Sequence, residues 1–93
     1  MKVYISGAIT GVDNYKEIFR SVADRLWSKP GYIVVNPCSL AHNHDESYES
    51  YMKEDIKALL ECDRIYMIDG WKKSKGARFE FLVARMCGIR VLV

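Results

Sequence analysis

Two acidic residues fall where helical periodicity puts apolar ones. On a wheel at about 100° per residue, the stretch from about Glu49 to Glu61 gathers Lys53, Glu54, Lys57 and Glu61 on one arc. Asp55 instead falls among Tyr51, Ala58, Leu59 and Cys62. The stretch from about Lys75 to Met86 repeats the pattern. Lys75, Arg78 and Arg85 share a face, while Glu80 lies away from them with Gly76, Ala77, Val83, Ala84 and Cys87 as neighbours. A carboxylate on an apolar face must be paired, hydrogen-bonded or put to use. Glu17 and Asp24, by contrast, lie opposite the apolar stripe of the first helix and read as solvated charges. Paired carboxylates suit chemistry in which positive charge develops on a sugar ring. One ionised acid attacks or stabilises the anomeric carbon, and a second group helps the leaving group depart. The structural alternative is a half-buried acid that pairs with a base or caps a loop, and these two residues alone leave both readings open.

Loops supply the rest of a candidate site. In Asp69-Gly-Trp-Lys-Lys-Ser-Lys-Gly76, Ser74 is placed to cap a helix whose first backbone N–H groups favour an anion. Lys72, Lys73 and Lys75 add positive charge, so a phosphate or a sugar hydroxyl is one reading and solvated lysines beside a capped helix the other. Trp71 is placed either to stack on a planar base or to pack at the loop. Ser6-Gly7-Ala8-Ile9-Thr10-Gly11 is glycine-containing, but is neither a dinucleotide fingerprint nor a P-loop, and says only that the backbone approaches something. His42-Asn-His44-Asp45-Glu46 has no Cys/His partner cluster, so no metal is expected. His42, His44 and Tyr48 remain polar loop residues able to close over a ligand.

These residues must be positioned by the elements between them. Lys2–Ser6 reads as a strand ending at Gly7, and a helix follows with apolar residues at Tyr15, Ile18, Phe19, Val22 and Leu26, stopped by Pro30-Gly31. Tyr32–Val35 reads as a second strand and Cys38–Tyr48 as a polar loop. After the second helix, Arg64–Ile68 forms a third strand. After the third helix, Gly88 takes the left-handed position and Ile89–Val93 forms a fourth strand. Strict β-α alternation with nearly continuous apolar strands predicts an α/β fold: a Rossmann/flavodoxin-like three-layer sandwich with a mostly parallel four-stranded sheet. In such sheets the ligand lies beyond the carboxyl ends of the strands, where the strand order reverses.

Composition bounds the function. The chain has 93 residues, 49% hydrophobic and 28% charged, which gives one globular domain over 1–93 and little else. Fourteen Lys and Arg against twelve Asp and Glu give a net charge of +2, too balanced for binding a nucleic acid polymer by bulk charge. No uncharged run reaches the roughly 18–20 residues of a membrane span, and Val3–Val12 is a poor secretory signal. Cys38, Cys62 and Cys87 are odd in number and form no CxxC pair, so reduced, mostly buried thiols and a cytoplasmic location are expected. Met52, Met67 and Met86 read as core. The apolar second helix, with Tyr48, Tyr51 and Trp71 near it, suggests burial in a homodimer or higher homo-oligomer.

Val3-Tyr4-Ile5-Ser6-Gly7 with Ile9 and Gly11, Asp55 eight residues before Asp63, and above all Ser74-x-Gly76-x-x-x-Glu80 give the chain a resemblance over nearly its whole length. It resembles the nucleoside 2-deoxyribosyltransferase superfamily, which includes 2′-deoxynucleoside 5′-phosphate N-hydrolases and small phage and bacterial relatives. The resemblance implies that Glu80 is the nucleophile attacking C1′, that Asp55 contacts the sugar or helps the base leave, and that Tyr4 orients Glu80. It implies a sugar or phosphate pocket lined by Gly7, Ala8, Ile9, Ser74 and Gly76, with Trp71 beside it. Ala8 stands where the nucleotide hydrolases carry a serine, and Arg78 where they carry a small residue. The expected function is N-glycosidase or 2-deoxyribosyltransferase action on a small-molecule nucleoside or nucleotide, without a cofactor. The alternative is a non-catalytic nucleotide-binding or sensing module of the same fold.

Overall fold

The structure is a computed structural model, and it describes residues 1–40 and 47–92. Its elements in chain order are β1 (Lys2–Ser6), α1 (Tyr15–Trp27), β2 (Ile33–Val35), α2 (Tyr48–Leu60), β3 (Arg64–Met67), α3 (Lys75–Met86) and β4 (Arg90–Val91), with short 3-10 turns at Pro37–Ser39 and Trp71–Lys73. The four strands form one all-parallel sheet in the order β2-β1-β3-β4. The fold is therefore α/β and flavodoxin-like, as the alternation predicts.

β1 is the central strand, and its side chains divide between two cores by the period of two. Val3 and Ile5 face α1 and pack with Phe19, Val22, Ala23 and Leu26. Tyr4 faces the other way and packs with Leu59 of α2, Ile65 of β3 and Ala84 of α3. So α1 covers one face, and α2 and α3 cover the other. Strand order reverses between β1 and β3, whose registers pair Val3 with Arg64 and Ser6 with Met67. The carboxyl ends of these strands open the crevice in which the acids meet.

Local chemistry explains the element ends. Ser47 caps α2 by accepting the Ser50 N–H at 3.1 Å, so this helix starts at Tyr48, a residue that the sequence places in a loop. α3 ends in a Schellman motif. The Gly88 N–H reaches the Arg85 carbonyl at 3.3 Å and the Ile89 N–H reaches Ala84 at 2.8 Å, with Gly88 at φ 74°. Ile89 then returns to the core beside Ala84.

Ile33 on β2 is 52% exposed and Val91 on β4 is 40% exposed, because both strands are edges. Two expectations need correction. Met86 is 80% exposed. It follows Phe79 and Leu82 on the outer stripe of α3, while Ala77, Glu80 and Ala84 form the inner one. Of the three thiols, Cys62 is buried, Cys38 half-buried and Cys87, just past the last residue of α3, exposed. His42 and His44, with the rest of the segment read as a possible metal site, lie outside the described residues.

Candidate active site

Glu80 is held by the sheet beneath it. On β1, Tyr4 and Ser6 are two residues apart and so share the face that α3 covers. The Tyr4 hydroxyl donates to Glu80 Oε2 at 2.8 Å, and the Ser6 hydroxyl donates to Oε1 at 2.5 Å. Each carboxylate oxygen thus has one donor, and the head group is fixed in plane and rotation. Tyr4 is fully buried, Ser6 1% exposed and Glu80 6% exposed. The acid that the helical wheel places on an apolar face is satisfied, and its anchors are two hydroxyls of the central strand.

Electrostatics set its protonation. Burial pushes the Glu80 carboxyl up to about 7, the Ser6 and Tyr4 hydrogen bonds pull it back, and the Asp55 charge adds a further upward push. The Tyr4 phenol is raised well above its ordinary value, first by burial and then by the Glu80 charge, so it stays a donor at every working pH. An acid with an ordinary value of 4.5 thus becomes one that changes charge near neutrality.

A cavity of about 910 Å³ opens over these groups, with Glu80 and Asp55 both in its wall. Asp55 comes from α2 and is 8% exposed. Two acids 25 positions apart in sequence, on neighbouring helices, therefore face one hollow. Gly7, Ile9, Ser74 and Gly76 also line it. Gly7 must lack a side chain, since a Cβ there would lie 2.9 Å from Ile68 Cβ, an atom that cannot swing aside. Ser74 caps α3 by accepting the Ala77 N–H at 3.1 Å, which leaves its own O–H to donate into the cavity. Beside Gly76 stand the Tyr48 hydroxyl and Met52 sulfur, at 3.2 and 3.3 Å from where a Cβ would be.

Not every residue singled out in the sequence reaches this hollow. Ala8 is half-buried and absent from the cavity wall. Trp71 is absent from it too, and its ring packs on Phe81 at 4.7 Å between centroids. Of the two readings of Trp71, packing is the one present. Tyr4 lies beneath the cavity and acts on Glu80 from below. Conversely, Ser6, which the sequence places at the end of a strand, in the glycine-containing loop and in the motif that carries the resemblance, has no site role there and gains one here. The sequence carries a signal for it: in Lys2-Val-Tyr-Ile-Ser6 the period of two puts the Tyr4 and Ser6 hydroxyls on one face and Val3 and Ile5 on the other. Tyr15, Lys16 and Tyr51 are further wall residues not read as site residues.

The family described as "Domain of unknown function (DUF4406)" matches residues 1–93. The chain belongs to that family. No curated protein matches this family member. Among solved structures it is similar to a 2-deoxyribosyltransferase from the psychrotolerant bacterium Bacillus psychrosaccharolyticus, characterised as a biocatalyst for nucleoside synthesis. The identity is 20% and the TM-score 0.69, over 98% of this chain and 69% of the other. At that identity the likeness establishes a shared fold. No helix among the described residues of the DUF4406 chain is long and apolar enough to cross a membrane.

Proposed function

We propose that this protein cleaves or exchanges the N-glycosidic bond of a nucleoside or nucleotide, with Glu80 as nucleophile. The observation that carries the reading is Glu80 held at both oxygens by Tyr4 and Ser6 in the wall of a cavity shared with Asp55. A carboxylate desolvated by burial and fixed by two hydroxyls is a stronger and better-aimed nucleophile than a solvated one. The fold shared with a 2-deoxyribosyltransferase supports the same chemistry.

In the first step a Glu80 oxygen bonds to C1′ as the C1′–N bond breaks. The bonding pair leaves with the base, which takes a proton from Asp55 or solvent. In the second step the ester oxygen leaves C1′ with its bonding pair and Glu80 is restored. Water replaces it to give the free sugar, its proton passing to Asp55 or solvent. Alternatively, a nitrogen of a second base replaces it, with loss of that base's proton, to give a new nucleoside. The wild type is expected to release free base from a panel of deoxynucleosides and deoxynucleotides, and Glu80→Gln to release none. Equal release by both proteins would refute the mechanism.

The homo-oligomer belongs to the same proposal. Tyr48 and Leu60 on α2 and Phe79, Leu82 and Met86 on α3 are exposed apolar residues that self-association would cover. Sedimentation at micromolar concentration is expected to show at least a dimer, and a monomer removes this part of the proposal.

A further inference from the structure

The cavity wall is divided by charge. Its acids, Asp55 and Glu80, are buried, whereas three exposed lysines, Lys16, Lys73 and Lys75, complete the wall. They come from opposite layers. Lys16 is in the first turn of α1 on one face of the sheet, Lys73 ends the 3-10 turn after β3, and Lys75 opens α3 on the other face. α1 and α3 each begin just beyond the carboxyl end of a strand, β1 and β3, so their first turns come together over that edge, which is where the cavity lies. Among the described residues none of the three forms an ion pair, and the salt bridge present is Lys2 to Glu61. Three like charges around one opening attract an anionic ligand and give a neutral one nothing comparable. Two further groups favour an anion at this end: the Ser74 hydroxyl, free to donate, and the first turn of α1, which has no side-chain cap.

We infer that the substrate carries a phosphate monoester, and that Lys16, Lys73 and Lys75 bind it at the cavity mouth while the sugar lies against Glu80. The assignment of sugar and base rests on the nucleosidase reading, whereas the anion site rests on the lysines. Lysine suits this role as a mobile point charge that follows a tetrahedral anion without the fixed fork of arginine. The phosphate then anchors one end of the substrate and leaves the glycosidic bond over the carboxylates.

The test is calorimetric titration of the non-turning Glu80→Gln protein with a deoxynucleoside, its 5′-monophosphate and inorganic phosphate. The same titrations follow on a protein also carrying Lys16→Gln, Lys73→Gln and Lys75→Gln, with the wild type titrated in parallel. All three lysines are exposed, so these substitutions leave the core intact. At low ionic strength the monophosphate is expected to bind roughly tenfold or more tightly than the nucleoside. That ratio should fall as salt is added and collapse to near one in the lysine-substituted protein. A ratio near one before the lysines are removed, or one unchanged afterwards, overturns the inference. Inorganic phosphate binding as tightly as the monophosphate overturns it as well, by assigning the site to free phosphate. A lysine-dependent ratio in a wild type that releases no base upholds the anion site and defeats the nucleosidase reading. Equal base release from nucleoside and monophosphate does the reverse.

Discussion

The Tyr4 hydroxyl donates to Glu80 Oε2 at 2.8 Å, joining the central strand to the third helix across 76 positions of sequence. With Ser6 on the other oxygen, it makes the sheet a rigid mount for the acid. A helix alone would leave a glutamate free to rotate about three bonds. Tyr4, Ser6, Glu80 and Asp55 therefore behave as one coupled unit.

Removing either hydroxyl should move the titration of Glu80 further up. Tyr4→Phe and Ser6→Ala each delete a donor that stabilises the carboxylate. Base release at neutral pH should fall roughly 10- to 100-fold, with recovery as the pH is raised. A loss of the same size at every pH would mean that the hydroxyls act on something other than the Glu80 charge.

Asp55→Asn should shift the profile the other way, because its charge raises Glu80. The acid limb of the kcat/KM profile should move to lower pH even if the maximal rate drops through loss of proton transfer. An unmoved acid limb would show that the two acids do not interact in the active protein.

The pH dependence of wild-type activity follows from the same shift. A nucleophile must be deprotonated, so kcat/KM should rise through about pH 7, the value to which Glu80 is pushed. Stability has the opposite sign. Between the ordinary 4.5 and about 7 the folded state keeps a proton that the unfolded state has lost, so stability falls as pH rises through that window. The fall amounts to about 3 kcal/mol. Urea midpoints measured across the window should decline in wild type and stay flatter in Glu80→Gln.

The two wall glycines should differ in tolerance. Gly7→Ala drives a Cβ to 2.9 Å from the Ile68 Cβ and forces β1 and β3 apart. A loss of about 1–3 kcal/mol is expected. Gly76→Ala meets the flexible ends of Tyr48 and Met52, so it should cost less stability and act on ligand binding. Thermal melts of both variants check the order.

Much of this site was legible because burial of a charge contradicts helical periodicity. Asp55 and Glu80 stood out on wheels, and both line one cavity. Ser74 was readable as a cap from its place before a helix, and the structure shows that bond. Ser6 gains its role only in the structure: alternation along β1 places its hydroxyl on the face of Tyr4, but its partner is 74 positions away and sequence spacing does not name it. Met86 and Cys87 differ from expectation for the converse reason. Residue type suggests core, but Met86 continues the outer stripe of α3 and Cys87 follows it at the C-cap, so both face solvent. Trp71 was ambiguous in sequence because an aromatic residue beside a loop serves stacking and packing equally, and only its contact with Phe81 separates them.

A covalent glycosyl-enzyme can be trapped by quenching the protein in acid during turnover with a deoxynucleoside or its monophosphate and mapping its peptides by mass spectrometry. An increment of one deoxyribosyl or deoxyribosyl phosphate group is expected on the peptide bearing Glu80, absent in Glu80→Gln. Base release without any such adduct, or an adduct on another residue, would contradict a nucleophilic Glu80.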